Sequence, residues 1–302
     1  MNDNSPSSFK LSVADGLMLN GCVWKHDAPQ AIILFMHGIE SHLGWFQEAG
    51  ASLCNAGFTV YAIDRRGSGN SEGTSGHVGS FRDVVNDMKS FVEFVRGSED
   101  SSLDRIGLGL SLGSNFWSSF SVLNPDAIDG IVMVGPGIKP RVGVSLARRL
   151  WILGHAFFSP KTLFPIPIQD DMFTANPAFK SFLASDSLRR KTVTARFFLE
   201  LLRMQRFLAV RAKHLGLPLH VLLAGDDTII DNDGVVRWVR RTSSKSTSIL
   251  EYEGAYHSLQ FELPQDELAR AIVEGIGSWK SNSTTEASAV QVKKTRAEYI
   301  RE

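Results

Sequence analysis

The chain has 302 residues, 43% apolar or aromatic and 21% charged, with 32 basic against 32 acidic side chains. That composition supplies a sizeable core and excludes a disordered chain. Zero net charge gives no whole-protein field of the kind nucleic-acid binders use, so any basic surface must be local.

Compartment is read from what the sequence lacks. Met1 to Ser8 is polar, without the basic and apolar stretches of a signal peptide. The densest apolar runs, Ala31 to Met36 and Trp151 to Phe158, fall far short of the roughly 20 residues that span a bilayer. Cys22 and Cys54 lack CxxC spacing and read as buried, reduced thiols. The expectation is a soluble, cytoplasmic protein.

Residues 9 to 25 read as two short antiparallel strands around Ala14, Asp15 and Gly16. Ala31 to Met36 is a continuous apolar run, as in a strand covered on both faces, and it ends in the loop His37, Gly38, Ile39, Glu40. Residues 42 to 56 follow as a helix and Phe58 to Ile63 as a strand. From Phe81 to Val95 the apolar residues recur at three- and four-residue steps, which marks a helix. Strands at Arg105 to Leu110 and Ile128 to Val134 flank a helix at Leu112 to Val122. Later come strands at Leu219 to Ala224 and Ser248 to Tyr252, and helices at Gly234 to Arg241 and Glu267 to Trp279. This alternation predicts an α/β fold with a mostly parallel central sheet and helices on both faces.

Residues 137 to 213 interrupt the alternation with helical, Phe-, Leu- and Arg-rich sequence, predicting an inserted helical cap. Its fourteen Lys or Arg against four acids leave a net charge of +10. The predicted core is then residues 1 to 136 and 214 to 280. Residues 281 to 302 form a C-terminal extension, read as flexible or as a late helix.

The informative motif is Gly109, Leu110, Ser111, Leu112, Gly113, because it follows a strand and opens a helix. In that setting GxSxG forms a sharp turn whose glycines permit close backbone approach while the serine projects from the sheet edge. A serine hydroxyl near neutral pH needs an imidazole to take its proton and a carboxylate to orient that imidazole. His257, the only histidine after His220, supplies the base, and its protonation is expected to cost activity on the acid side. The loop after Ala224 offers Asp226, Asp227 and Asp231, with Asp227 preferred. Two backbone N–H groups are expected at the oxyanion, from Ile39 and Leu112.

Other patterns do not carry chemistry. His37, Glu40 and His42 lack the helical HExxH spacing of a metal site. The glycine runs at 67, 69, 73 and 107, 109, 113 miss the dinucleotide spacing by one residue. No metal or organic cofactor is expected. Asp64 to Ser71 reads as a structural turn.

The segments HGIESHLGWF (37 to 46), YAIDRRGSGNSEG (61 to 73), GLSLGS (109 to 114), LLAGDDTIIDN (222 to 232) and YEGAYHSLQFE (252 to 262) resemble the α/β-hydrolase superfamily. Within it the chain looks like the monoacylglycerol lipase and lysophospholipase branch. The resemblance implies Ser111 as nucleophile, Asp227 as orienting acid, His257 as base, and Ile39 with Leu112 as oxyanion donors. It also implies a cap between two sheet strands. Relatives commonly have His before the nucleophile and a second Gly after the first, where this chain has Leu110 and Ser114.

The expected activity is cleavage of a carboxylic ester with a hydrophobic acyl chain, of monoacylglycerol or lysophospholipid type, through an acyl-serine. The alternative is a thioesterase or acyltransferase using the same triad. Trp151, Ile152, Leu153, Phe157, Phe158, Leu163, Phe164 and Ile166 are expected to line the acyl pocket. The small-molecule ester is the expected partner, and the basic cap offers peripheral contact with an anionic membrane or an acidic carrier protein.

Overall fold

The computed structural model describes residues 5–281 and 291–296. Two antiparallel strands, β1 (Ser7–Ser12) and β2 (Met18–Trp24), lead into β3 (Ala31–Met36). A 3-10 turn at Leu43–Phe46 precedes α1 (Gln47–Asn55), so the helix read from residue 42 begins five residues late. Then follow β4 (Phe58–Ile63), α2 (Phe81–Ser98), β5 (Arg105–Leu110), α3 (Leu112–Leu123) and β6 (Gly130–Val134).

The inserted segment holds α4 (Leu146–Phe158), β7 (Leu163–Pro165), α5 (Asp170–Phe173), α6 (Pro177–Ser185), β8 (Thr192–Thr194) and α7 (Ala195–Arg211). Its two short strands pair antiparallel, an addition to the expected helices. The chain returns through β9 (Leu219–Ala224), α8 (Asn232–Val239), β10 (Thr247–Tyr252), α9 (Leu259–Glu262) and α10 (Gln265–Ser281). Beyond it, β11 (Val292–Thr295) pairs parallel with β10. The extension was expected as flexible chain or helix; residues 292–295 instead close the sheet edge, where Lys294 also pairs with Glu251.

The main sheet runs β1-β2-β4-β3-β5-β6-β9-β10-β11 and is parallel from β4 to β11. Side chains on a strand alternate between faces, so β3 serves two cores. Ile32, Leu34 and Met36 pack with α2 and α3, through residues such as Val84, Met88, Phe116 and Phe120. Ile33 and Phe35 pack with α1 and α10, through Leu53, Leu268 and Ile272. Burying a side chain of this kind contributes about 1.5–3 kcal/mol, which explains why the central strands are apolar at most positions. Cys22 and Cys54 are buried free thiols, and burial pushes the Cys22 thiol up to about 12.

All parallel strands point their carboxyl ends the same way, so the loops after β3, β5, β9 and β10 gather at one edge. Ligands of open α/β sheets bind outside that edge.

Candidate active site

The turn after β5 is built by its glycines. A Cβ on Gly109 would stand 2.3 Å from the Ser114 backbone nitrogen, and one on Gly113 would stand 2.0 Å from the Met36 carbonyl oxygen. With both positions bare, α3 can start immediately after β5. Ser111, between them, takes φ 49° and ψ −113°, a conformation that side-chain-bearing residues rarely adopt. Its own N–H donates to the Val134 carbonyl at 2.8 Å, and the Ser114 hydroxyl donates to the Gly109 carbonyl at 2.7 Å, so neighbouring structure holds the bend.

The Ser111 hydroxyl lies 3.0 Å from His257 Nε2, and His257 Nδ1 lies 2.7 Å from Asp227 Oδ2. A carboxylate only accepts, so Nδ1 carries the ring proton and donates it, which leaves the Nε2 lone pair for the serine hydroxyl. The other Asp227 oxygen, Oδ1, accepts the backbone N–H groups of Ile229 and Ile230 at 2.8 and 2.9 Å. Both Asp227 and His257 are buried. Of the three aspartates open from the sequence, Asp227 alone meets the imidazole. Asp226 is exposed, and Asp231 faces Arg237 at 3.3 Å.

The two expected oxyanion donors sit beside Ser111. Leu112 is the first residue of α3, where a backbone N–H has no partner inside the helix. The Ile39 N–H donates to no other group among the described residues. The loop that carries it is held from below: His37 Nδ1–H donates to the Gly38 carbonyl at 2.9 Å, and His37 Nε2 accepts the Arg65 N–H at 2.9 Å. Arg65 also donates through Nη2 to the Gly38 and Ile39 carbonyls at 3.0 and 3.2 Å. Burial, and then the neighbouring Arg65 charge, push His37 well below the usual imidazole range, so it is a neutral strut. Asp64 ties the adjacent turn, accepting from the Leu43 and Asn70 N–H groups at 2.8 and 2.9 Å.

A cavity of about 410 Å³ opens over Ser111, Leu112 and Asn115, and its other walls come mainly from the 137–144 stretch, α4, α7 and the 166–168 stretch. Of the residues expected to line an acyl pocket, Ile152, Leu153 and Ile166 do so. Phe164 is buried behind them, while Trp151, Phe157, Phe158 and Leu163 face outward, Phe158 at 89% exposure. The reason is helical phase: Ile152 and Ala156 turn α4's packed face inward, and residues 151, 157 and 158 fall on its other side. On the imidazole side of Ser111 is a pocket of about 30 Å³ between Gly38, Trp45, Phe173 and His257, with room for a water.

Several polar groups escaped sequence reasoning. Glu40 pairs with Arg189 of the inserted segment at 2.6 Å, and both side chains are buried. Asp186 accepts the Trp45 indole N–H at 2.6 Å and meets His42 Nε2 at 3.0 Å. Glu262 accepts the Thr174 hydroxyl and the Ala175 N–H at 2.5 and 2.8 Å. Each joins the inserted segment to the main domain near the site across 80 or more residues, with no local pattern to betray it. Among the described residues no cluster of metal-binding side chains occurs, and His42 and Glu40 are spent on these pairs.

The family model Hydrolase_4, described as serine aminopeptidase, S33, matches residues 27–264. The chain belongs to this family. It is 27% identical to phospholipase YtpA of Bacillus subtilis, over 82% of this chain and 95% of that one. It is 25% identical to a monoacylglycerol lipase of Mycolicibacterium smegmatis, over 92% and 98%. The crystal structure of a soluble variant of monoglyceride lipase from Saccharomyces cerevisiae superposes with a TM-score of 0.80 at 20% identity, covering 94% of this chain and 98% of that one. This family member is therefore an α/β-hydrolase, an enzyme of the hydrolase class, and it is similar to monoglyceride lipases, as the five motifs implied.

Proposed function

We propose that the protein hydrolyses a carboxylic ester with a long apolar acyl chain, through an acyl-enzyme on Ser111. The observation that carries this reading is the Ser111, His257, Asp227 relay opening into the 410 Å³ apolar cavity. The Ser111 oxygen attacks the ester carbonyl and passes its proton to His257 Nε2. The Ile39 and Leu112 N–H groups receive the developing oxyanion, each such donor contributing about 3 kcal/mol in comparable enzymes. His257 then protonates the departing alcohol. Water entering on the imidazole side, where the 30 Å³ pocket lies, gives its proton to the same nitrogen and releases the acid.

The family description names an aminopeptidase, whose substrate begins with an ammonium group. Among the described residues no acidic side chain lines the larger cavity, while Arg141 and Arg149 do. Glu40, the acid of the smaller pocket, is paired with Arg189. An ester with an aliphatic chain fits these walls and a free amine does not.

The test is a panel of oxygen esters, thioesters and amides of graded chain length on the purified protein. Burial of a methylene contributes about 0.8 kcal/mol, so kcat/KM is expected to rise about fourfold per added methylene until the cavity is full. Equal values for acetyl and dodecanoyl esters would remove the acyl-cavity reading. A preference for thioesters over oxygen esters of the same acid would favour the thioesterase alternative.

The same helix that walls the cavity carries Leu146, Leu150, Trp151, Phe157 and Phe158 on its outer side, flanked by Arg148 and Arg149. Among the described residues no helix is long and apolar enough to cross a membrane. An apolar stripe edged by cations suits the surface of an anionic bilayer, and an acidic carrier would leave the exposed rings without a partner. Phosphatidylglycerol vesicles are expected to retain the protein at low salt, and the double substitution Trp151→Ser with Phe158→Ser is expected to weaken retention at least tenfold while hydrolysis of a soluble short ester is kept. Equal retention of both proteins would refute this contact.

A further inference from the structure

The loop that carries the Ile39 N–H is bonded on one side to its own core, through His37 and Arg65, and on the other to the inserted segment. Arg189 is the centre of the second attachment. Its Nε and Nη2 both donate to Glu40 Oε2, at 2.7 and 2.6 Å, and Nη2 also reaches Asp170 Oδ1 at 2.8 Å. Its Nη1 donates to the Leu183 carbonyl at 3.2 Å, and the guanidinium lies over the rings of Trp45 and Phe173. One residue on, the Arg190 N–H donates to the Glu40 carbonyl at 2.9 Å. Glu40 follows Ile39 directly, so these bonds act on the peptide next to the oxyanion donor. The same segment also touches the imidazole loop, where the Ser258 N–H donates to the Phe173 carbonyl at 2.9 Å.

Fixing a loop by burying a charge pair is a costly way to obtain stability, since apolar residues of similar volume often serve as well. A pair placed at this spot makes better sense as a device for geometry. We propose that Arg189 is a positioning residue: through Glu40 it sets the Ile39 N–H on the oxyanion, so the catalytic constellation is complete only while the inserted segment is seated over the site. The inference rests on the acyl-enzyme reading above. It adds that the segment, besides walling the cavity, completes the site that stabilises the transition state.

The decisive comparison uses the double substitution Glu40→Gln with Arg189→Met, which leaves no unpaired charge between the two positions, alongside Arg189→Lys, which keeps the charge but loses the planar fork. For a dodecanoyl ester, the double variant is expected to lose about 100-fold in kcat with KM within threefold. Affinity for an alkyl trifluoromethyl ketone, which forms a tetrahedral adduct with the serine, should fall by a similar factor. Arg189→Lys is expected to lose about tenfold in kcat with an unchanged melting temperature. Wild-type kcat in either variant would overturn the proposal, as would a loss confined to KM. Wild-type turnover of the ester is the control: its absence would remove the hydrolase reading itself, whereas unimpaired variants remove only the role of Arg189.

Discussion

Replacing Ser111 with alanine or glycine is expected to lower kcat by a factor on the order of 10⁶ and to abolish labelling by a fluorophosphonate, yet the two variants should differ in stability. Both lose the hydroxyl bonded to His257, so that loss cancels between them. What remains is the backbone. At φ 49° and ψ −113° a residue with a Cβ is strained by about 1–3 kcal/mol, and glycine escapes that strain at an entropic cost of about 0.5–1 kcal/mol. Strain is the larger of the two. Ser111→Gly is therefore expected to melt about 2 °C above Ser111→Ala in a chain of this size, as read by calorimetry. Melting of the glycine variant at or below the alanine variant would mean that the bend is relaxed, and that Ser111 is held out from the sheet edge without tension. With the strain in place, the proposed nucleophile is a position where stability has been surrendered for reach.

That tension explains why the centre of the fold was legible. β3, β4, β5 and β9 were readable residue for residue because each is covered on both faces and so is apolar at most of its positions. The bend at Ser111 was readable because only glycine tolerates the approaches made at positions 109 and 113. Legibility failed where the determining contact is distant or weak. Leu163, Phe164 and Pro165 make too short a strand to show alternation, and Val292 to Thr295, with two lysines, looks like solvent-exposed chain until it meets β10. The apolar richness of α4 was plain, but not which side of it faces the cavity, since both sides carry large apolar residues. Glu40 and Arg189 stand 149 positions apart, and nothing in either neighbourhood announces the other.

The acid of the proposed triad was the one element of that triad for which the sequence offered several candidates, and it carries the second large expected effect. Asp227→Asn should lower kcat by about 10⁴, whereas Asp226→Asn and Asp231→Asn should each remain within threefold of wild type. The difference comes from one proton. An asparagine at 227 can still accept the Ile229 and Ile230 N–H groups through its carbonyl oxygen, in the place of Asp227 Oδ1, so the loop keeps its shape. Its amide then presents N–H to His257 Nδ1, where the carboxylate presented a lone pair. The imidazole answers by moving its proton to Nε2, the nitrogen that must accept from Ser111. The ring stays in place, but its lone pair faces the wrong neighbour. Initial rates of ester hydrolysis for the three variants, with melting temperatures measured in parallel, separate this from unfolding. A comparable loss in Asp231→Asn, or near wild-type turnover in Asp227→Asn, would reassign the carboxylate and the direction of the whole relay.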